Sequence, residues 1–134
     1  MLNILFALFQ VLIALGIIGF WISFYAGDSE SKMSEVEYKH EKSFPLPDLG
    51  WVTPTSLIAA IGLFLDQPFG YLFSIITGSG MIFLGLIDLA FNYQNDQFSR
   101  EKRGFDAIMS LFIVSIMLIF GPIFIIYGSI YFLL

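Results

Sequence analysis

From Pro68 to Asn92 the chain carries a single charged side chain, Asp88, in a run otherwise long and apolar enough to cross a bilayer. One edge of that run differs from the rest. Ser74, Gly78, Met81, Gly85, Asp88 and Asn92 follow one another at alternating steps of four and three, which sets them in one line down a helix. A membrane helix turns such a line toward other helices, because small side chains let backbones approach and an acid finds no partner among acyl chains. The expected fold class is therefore all-α: a polytopic membrane protein, folded as a four-helix transmembrane bundle in one integral membrane domain over residues 1–134.

Composition agrees. Of 134 residues 57% are hydrophobic and only 13% charged, where a soluble domain has about a quarter charged. The four spans are expected at about residues 2–25, 53–66, 68–92 and 105–133. The first has no charge, exceeds a signal-peptide core in length and lacks both a basic flank and a small-x-small cleavage pattern, so it reads as a retained helix. Its less greasy residues, Asn3, Ala7, Gln10, Ala14, Ile17 and Trp21, share one stripe, and Gln10 is expected to make an interhelical hydrogen bond.

The second run opens on Thr53-Pro54, a cap followed by proline at the first helical position. Thr55, Ala59, Gly62 and Asp66 form its stripe. From Pro54 to Asp66 a helix would reach about 20 Å, against a hydrocarbon core of about 30 Å. Such a helix must be extended by its flanks, thin the bilayer or lean on protein. Asp66 and Gln67 read as turn and capping residues for the helix that begins at Pro68. In the fourth run Asp106 occupies the first turn, where the helix dipole favours an acid, and Gly121-Pro122 predicts a kink.

The loop 27–50 holds most of the charge: Asp28, Glu30, Glu35, Glu37, Glu41 and Asp48 beside Lys32, Lys39, His40 and Lys42. A short surface helix is expected within Ser29 to His40. Pro45 and Pro47 speak against a regular helix from Phe44 to Trp51, which is expected to lie at the interface. Trp21 with Tyr25, Trp51, Tyr71, Tyr93, and Tyr127 with Tyr131 fall near span ends and read as interface anchors. All six basic residues, Lys32, Lys39, Lys42, Arg100, Lys102 and Arg103, fall in loops 27–50 and 93–104. The positive-inside rule then makes those loops cytoplasmic and puts both termini outside, with the cell membrane as the expected location.

Little catalytic chemistry is on offer. With no cysteine and one histidine, disulfide, thiol and His- or Cys-based metal chemistry are excluded, and no metal or cofactor is expected. Gly78-Ser79-Gly80 falls mid-span and reads as a close-packing point, not a phosphate cradle. No internal repeat supports an inverted-repeat transporter. Asp88, about one turn inside the third span, is the leading ligand or ion candidate, with Asn92 one turn beyond it on the same face. Its structural alternative is a pair with a loop base, or hydrogen bonds from loop amides, that pins the end of the bundle. Asp48 and Asp106, with Asp96, complete a carboxylate set that could converge on a hard cation, although no loop motif orders them. Gln10 and Ser74 are the intramembrane polar residues.

Two functions from different classes follow. The first is a non-enzymatic membrane protein with an accessory, assembly, or lipid- or small-ligand-binding role. The second is a small oligomeric transporter or channel with Asp88 as its proton or cation site. The expected partners are membrane lipid and other membrane proteins or further copies of the chain; sparse, dispersed basic residues disfavour nucleic acid. The small multidrug transporters share the length and span number, but the first run here has no acid where that family keeps its coupling carboxylate.

Overall fold

The computed structural model describes residues 1–134 and is helical throughout, without a strand. In order the helices are α1 (Leu2–Ala26), α2 (Ser29–Lys32), α3 (Glu35–Glu41), α4 (Pro45–Pro47), a π-helical turn (Asp48–Val52), α5 (Thr53–Phe64), α6 (Pro68–Gln94), α7 (Arg100–Arg103) and α8 (Phe105–Leu133). Three of them, α1, α6 and α8, are long and apolar enough to cross a membrane. The chain divides into two compact units, Met1–Phe73 and Ser74–Leu134, and α6 begins in the first and ends in the second.

In the first unit α1 packs along α5. The stripe read from α1 is the buried one: Ala7, Gln10, Ala14 and Trp21, continued by Phe24. From α5 come Thr53, Thr55, Ser56, Ala59, Ala60, Gly62 and Leu63. The large side chains of α1, such as Leu12, Leu15 and Ile22, are exposed instead. Small residues on both contact faces bring the backbones close enough for Ser56 Oγ to donate to the main-chain carbonyl of Gln10 at 2.6 Å. Gln10 thus accepts an interhelical hydrogen bond at its main-chain carbonyl, and its side chain is fully buried.

Two expectations about the approach to α5 are corrected. The residues from Pro45 to Phe64 form successive helical segments without a gap, so Thr53 is not a cap and Phe44 to Trp51 is not irregular. Pro45 and Pro47 are accommodated because they sit in a first turn, where backbone N–H groups have no intrahelical acceptor. Pro54 is the harder case. Inside a helix its ring would collide with the carbonyl four residues back, and it has no N–H to donate. The chain answers with a widened turn: the Thr53 N–H bonds to the Asp48 carbonyl, five residues back.

The α5–α6 connection is equally tight. The Gln67 N–H reaches the Gly62 carbonyl at 2.8 Å and the Asp66 N–H reaches that of Leu63 at 3.3 Å, with Asp66 in the left-handed region at φ 50°. This is a Schellman cap, with aspartate in place of the usual glycine. Asp66 therefore closes α5 through its backbone, which differs from the cap on α6 that its position suggests. A Cβ added to Gly62 would stand 2.5 Å from Gly70 N and Cα. The two helices cross backbone on backbone at these glycines.

In the second unit α6 buries Ser74, Thr77, Gly78, Met81, Leu84, Gly85 and Asn92, and leaves Asp88 half-buried. From α8 the buried residues are Ala107, Val114, Gly121, Phe124, Tyr127 and Gly128. A Cβ on Gly121 would lie 2.6 Å from Ile82 Cγ1, and one on Gly85 would lie 3.0 Å from Met117 Cβ, so α6 and α8 pack closely along this line. Gly78 is the packing point its sequence context predicts, set against Gly121 and Ile125. Helix α8 continues through Pro122. Asp96 repeats the aspartate-centred cap at the end of α6, with φ 55° and the Gln97 N–H on the Asn92 carbonyl at 2.8 Å.

Candidate functional site

The candidate carboxylates are held in different surroundings. In the second unit Asp88 and Asn92 are brought together as their spacing requires. Asn92 Nδ2 donates to Asp88 Oδ1 at 2.9 Å and to the Asp88 main-chain carbonyl at 2.7 Å. Two residues one helical turn apart thus form a polar pair on one helix, with Asn92 buried. Two bases that follow α6 meet groups close to them in sequence. Lys102 Nζ meets Asp96 at 2.5 Å. Arg103 Nη1 donates to the Gln97 carbonyl at 2.7 Å and to Ser110 Oγ at 2.9 Å, tying the turn after α6 to the first turns of α8. Asp106 is exposed in the first turn of α8, as expected for an acid at a helix N-terminus.

In the first unit Asp48 is 9% exposed, and its Oδ2 accepts the indole N–H of Trp21 at 2.9 Å. The acid lies on the widened turn and the donor on α1, so this bond joins the charged end of the α5 segment to the first helix. Trp21 is 3% exposed and is not an interface anchor; Tyr127, 4% exposed, is not one either. Trp21 sits in a ring cluster with Phe20, Phe24 and Tyr25, and Tyr38 of α3 stacks on Phe24 with centroids 5.9 Å apart. Lys42 Nζ lies over the Tyr38 ring, and His40 packs edge-on against Phe44. Thr53, one turn beyond Asp48, is buried with no hydrogen-bond partner for its hydroxyl.

At the opposite end of α1, Asn3 Nδ2 donates to Asp66 Oδ1 at 2.6 Å and to the Tyr71 hydroxyl at 2.8 Å. The pairings of Asn3 with Asp66, Gln10 with Ser56 and Trp21 with Asp48 run in opposite chain order, so α1 is antiparallel to α5 and carries a polar link at each end and midway. Ser74 is fully buried in α6.

Sequence reasoning placed Asp48 among the candidates but missed its donor and missed Thr53. The signal for Trp21 was present: it shares a stripe with Gln10 and Ala14, which outweighs its position near a span end. Thr53 was hidden by its resemblance to a helix cap. Comparison with known protein families, with characterised proteins and with solved structures finds no match to this chain.

Proposed function

We propose that this chain is a four-span integral membrane protein whose role is non-enzymatic: accessory, assembly, or binding of a lipid or small ligand within the bilayer. The observation that carries the reading is the distribution of side chains. Ala7, Gln10, Ala14, Ser56, Ala59, Ser74 and Thr77 are buried, while Leu12, Ile22, Phe83, Leu86, Ile119 and Ile126 are exposed. In water such a surface would aggregate; in hydrocarbon it is the stable arrangement. The fourth span is supported by the gapless helical run from Pro45 to Phe64, which at the helical rise of about 1.5 Å per residue approaches the hydrocarbon thickness. A non-enzymatic role is supported by where the polar groups go. Asp48 and Asp66 accept from side chains of α1, Asp96 meets Lys102 of α7, and Asp88 accepts from Asn92 within α6.

The chain lacks cysteine, so each introduced thiol is a unique label for topology. Ser31→Cys and Ser99→Cys are expected to react with a membrane-impermeant maleimide from the cytoplasmic side, and Gln67→Cys from the opposite side. Labelling of positions 31 and 67 from the same side would remove the second span.

The transporter reading keeps one specific observation, a half-buried acid inside a membrane-length helix. It predicts proton or cation flux in proteoliposomes that Asp88→Asn abolishes. The structural reading predicts no flux above protein-free vesicles, and a melting temperature in detergent that falls in Asp88→Asn. Flux that is present in the wild type and lost in the variant would exchange the two readings.

A further inference from the structure

The widened turn before α5 has a chemistry of its own. Its ladder breaks at Leu49. In an α-helix the Leu49 carbonyl would take the Thr53 N–H, but that N–H goes to Asp48. In a continued π-helix it would take the N–H of residue 54, which is a proline and has none. Leu49 thus presents a carbonyl oxygen with neither ladder donor. Thr53 lies four residues on, about one turn along the same segment. The Thr53 side chain is more than nine-tenths buried and its oxygen has no protein partner. Asp48 is one turn away through the five-residue hydrogen bond, and its carboxylate is oriented by Trp21 Nε1 at 2.9 Å.

Oxygen is the only ligand atom here: one carboxylate, one main-chain carbonyl and one hydroxyl. That set suits a hard cation, and the single negative charge suits a monovalent one, since calcium sites of useful affinity gather several carboxylates. Main-chain carbonyls released where a helix departs from its regular ladder are among the groups that coordinate sodium in membrane transporters. We propose that the widened turn at Asp48 to Thr53 is a binding site for a monovalent cation of sodium's class, with the Asp48 carboxylate, the Leu49 carbonyl and the Thr53 hydroxyl among its ligands. Trp21 is a positioning residue that holds the carboxylate. This reading does not depend on the number of spans.

The test uses the full chain in detergent with Trp51→Phe, which leaves Trp21 as the sole tryptophan of the two in the sequence. Sodium chloride is titrated against potassium and choline chloride at equal ionic strength. The expected result is a saturable change in Trp21 emission and a rise in melting temperature with sodium that choline does not reproduce. Thr53→Val, close in shape and without the hydroxyl, should weaken the apparent sodium affinity about tenfold, in line with the loss of one ligand interaction of about 1.4 kcal/mol. Thr53→Ser should restore it, and Asp48→Asn should abolish the response. Equal behaviour in sodium and choline, or a Thr53→Val titration that matches the parent, overturns the proposal. Should Asp48→Asn fail to fold, the Thr53 pair alone decides the outcome.

Discussion

Gly62→Ala should cost the protein about 3 kcal/mol or more, at or beyond the upper end of ordinary overpacking, and Gly70→Ala should do the same. The added methyl at Gly62 would stand 2.5 Å from the backbone of Gly70, and that at Gly70 would stand 2.5 Å from Leu63 N. Neither neighbour is the flexible tip of a side chain, so relief requires the two helices to separate. Separation would strain the hydrogen bond from the Gln67 N–H to the Gly62 carbonyl and the contact of Asn3 with Asp66 and Tyr71. The control lies in the same chain. Gly16 and Gly19 are also helical, but a Cβ at either meets nothing within 4 Å. Gly16→Ala and Gly19→Ala should be neutral or stabilising by up to about 1 kcal/mol, the difference in helix propensity. Thermal unfolding in detergent followed by circular dichroism reads all four. A Gly62→Ala protein as stable as wild type would refute the crossing described here.

The second large effect is expected at Trp21. Trp21→Phe removes the N–H that meets Asp48 and leaves a gap beside a buried carboxylate. Loss of a hydrogen bond to a charged group, added to the lost ring volume, should destabilise by about 2–4 kcal/mol. Asp48→Asn keeps an oxygen for the indole and should cost less. Asp48→Leu removes the acceptor as well as the charge. If the pair is coupled, Trp21→Phe with Asp48→Leu costs less than the two single changes together, by about 1–3 kcal/mol. Strict additivity in that cycle would mean the bond is incidental. The cycle should be run at fixed sodium, because an ion bound at Asp48 would add its own linkage to the apparent stability.

The long periodic segments were the legible part. The stripes through Ala7, Gln10, Ala14 and Trp21, and through Ser74, Gly78, Met81 and Gly85, are buried because a helix repeats at a spacing that can be counted along the chain. Asp88 and Asn92 meet for the same reason, since a partner four residues away is fixed as soon as the helix forms. Local rules were less secure where two of them competed. Pro45 and Pro47 argued against a helix, yet a first turn does not need their N–H groups. Asp66 resembled a helix start, but the left-handed backbone that ends α5 claimed it.

Residue order alone determined that the chain is helical, and it placed the three helices that are long enough to cross a membrane among four expected spans, with the edge of each that carries the small and polar groups. Those properties depend on side-chain size and polarity repeated at a fixed angle. Tertiary structure alone decided that Trp21 would face Asp48, that Gly62 would touch Gly70, and that the turn before α5 would widen by one residue. Each depends on how two separate helical segments, or a proline and the carbonyls behind it, share space in three dimensions, and no periodicity along the chain encodes that distance.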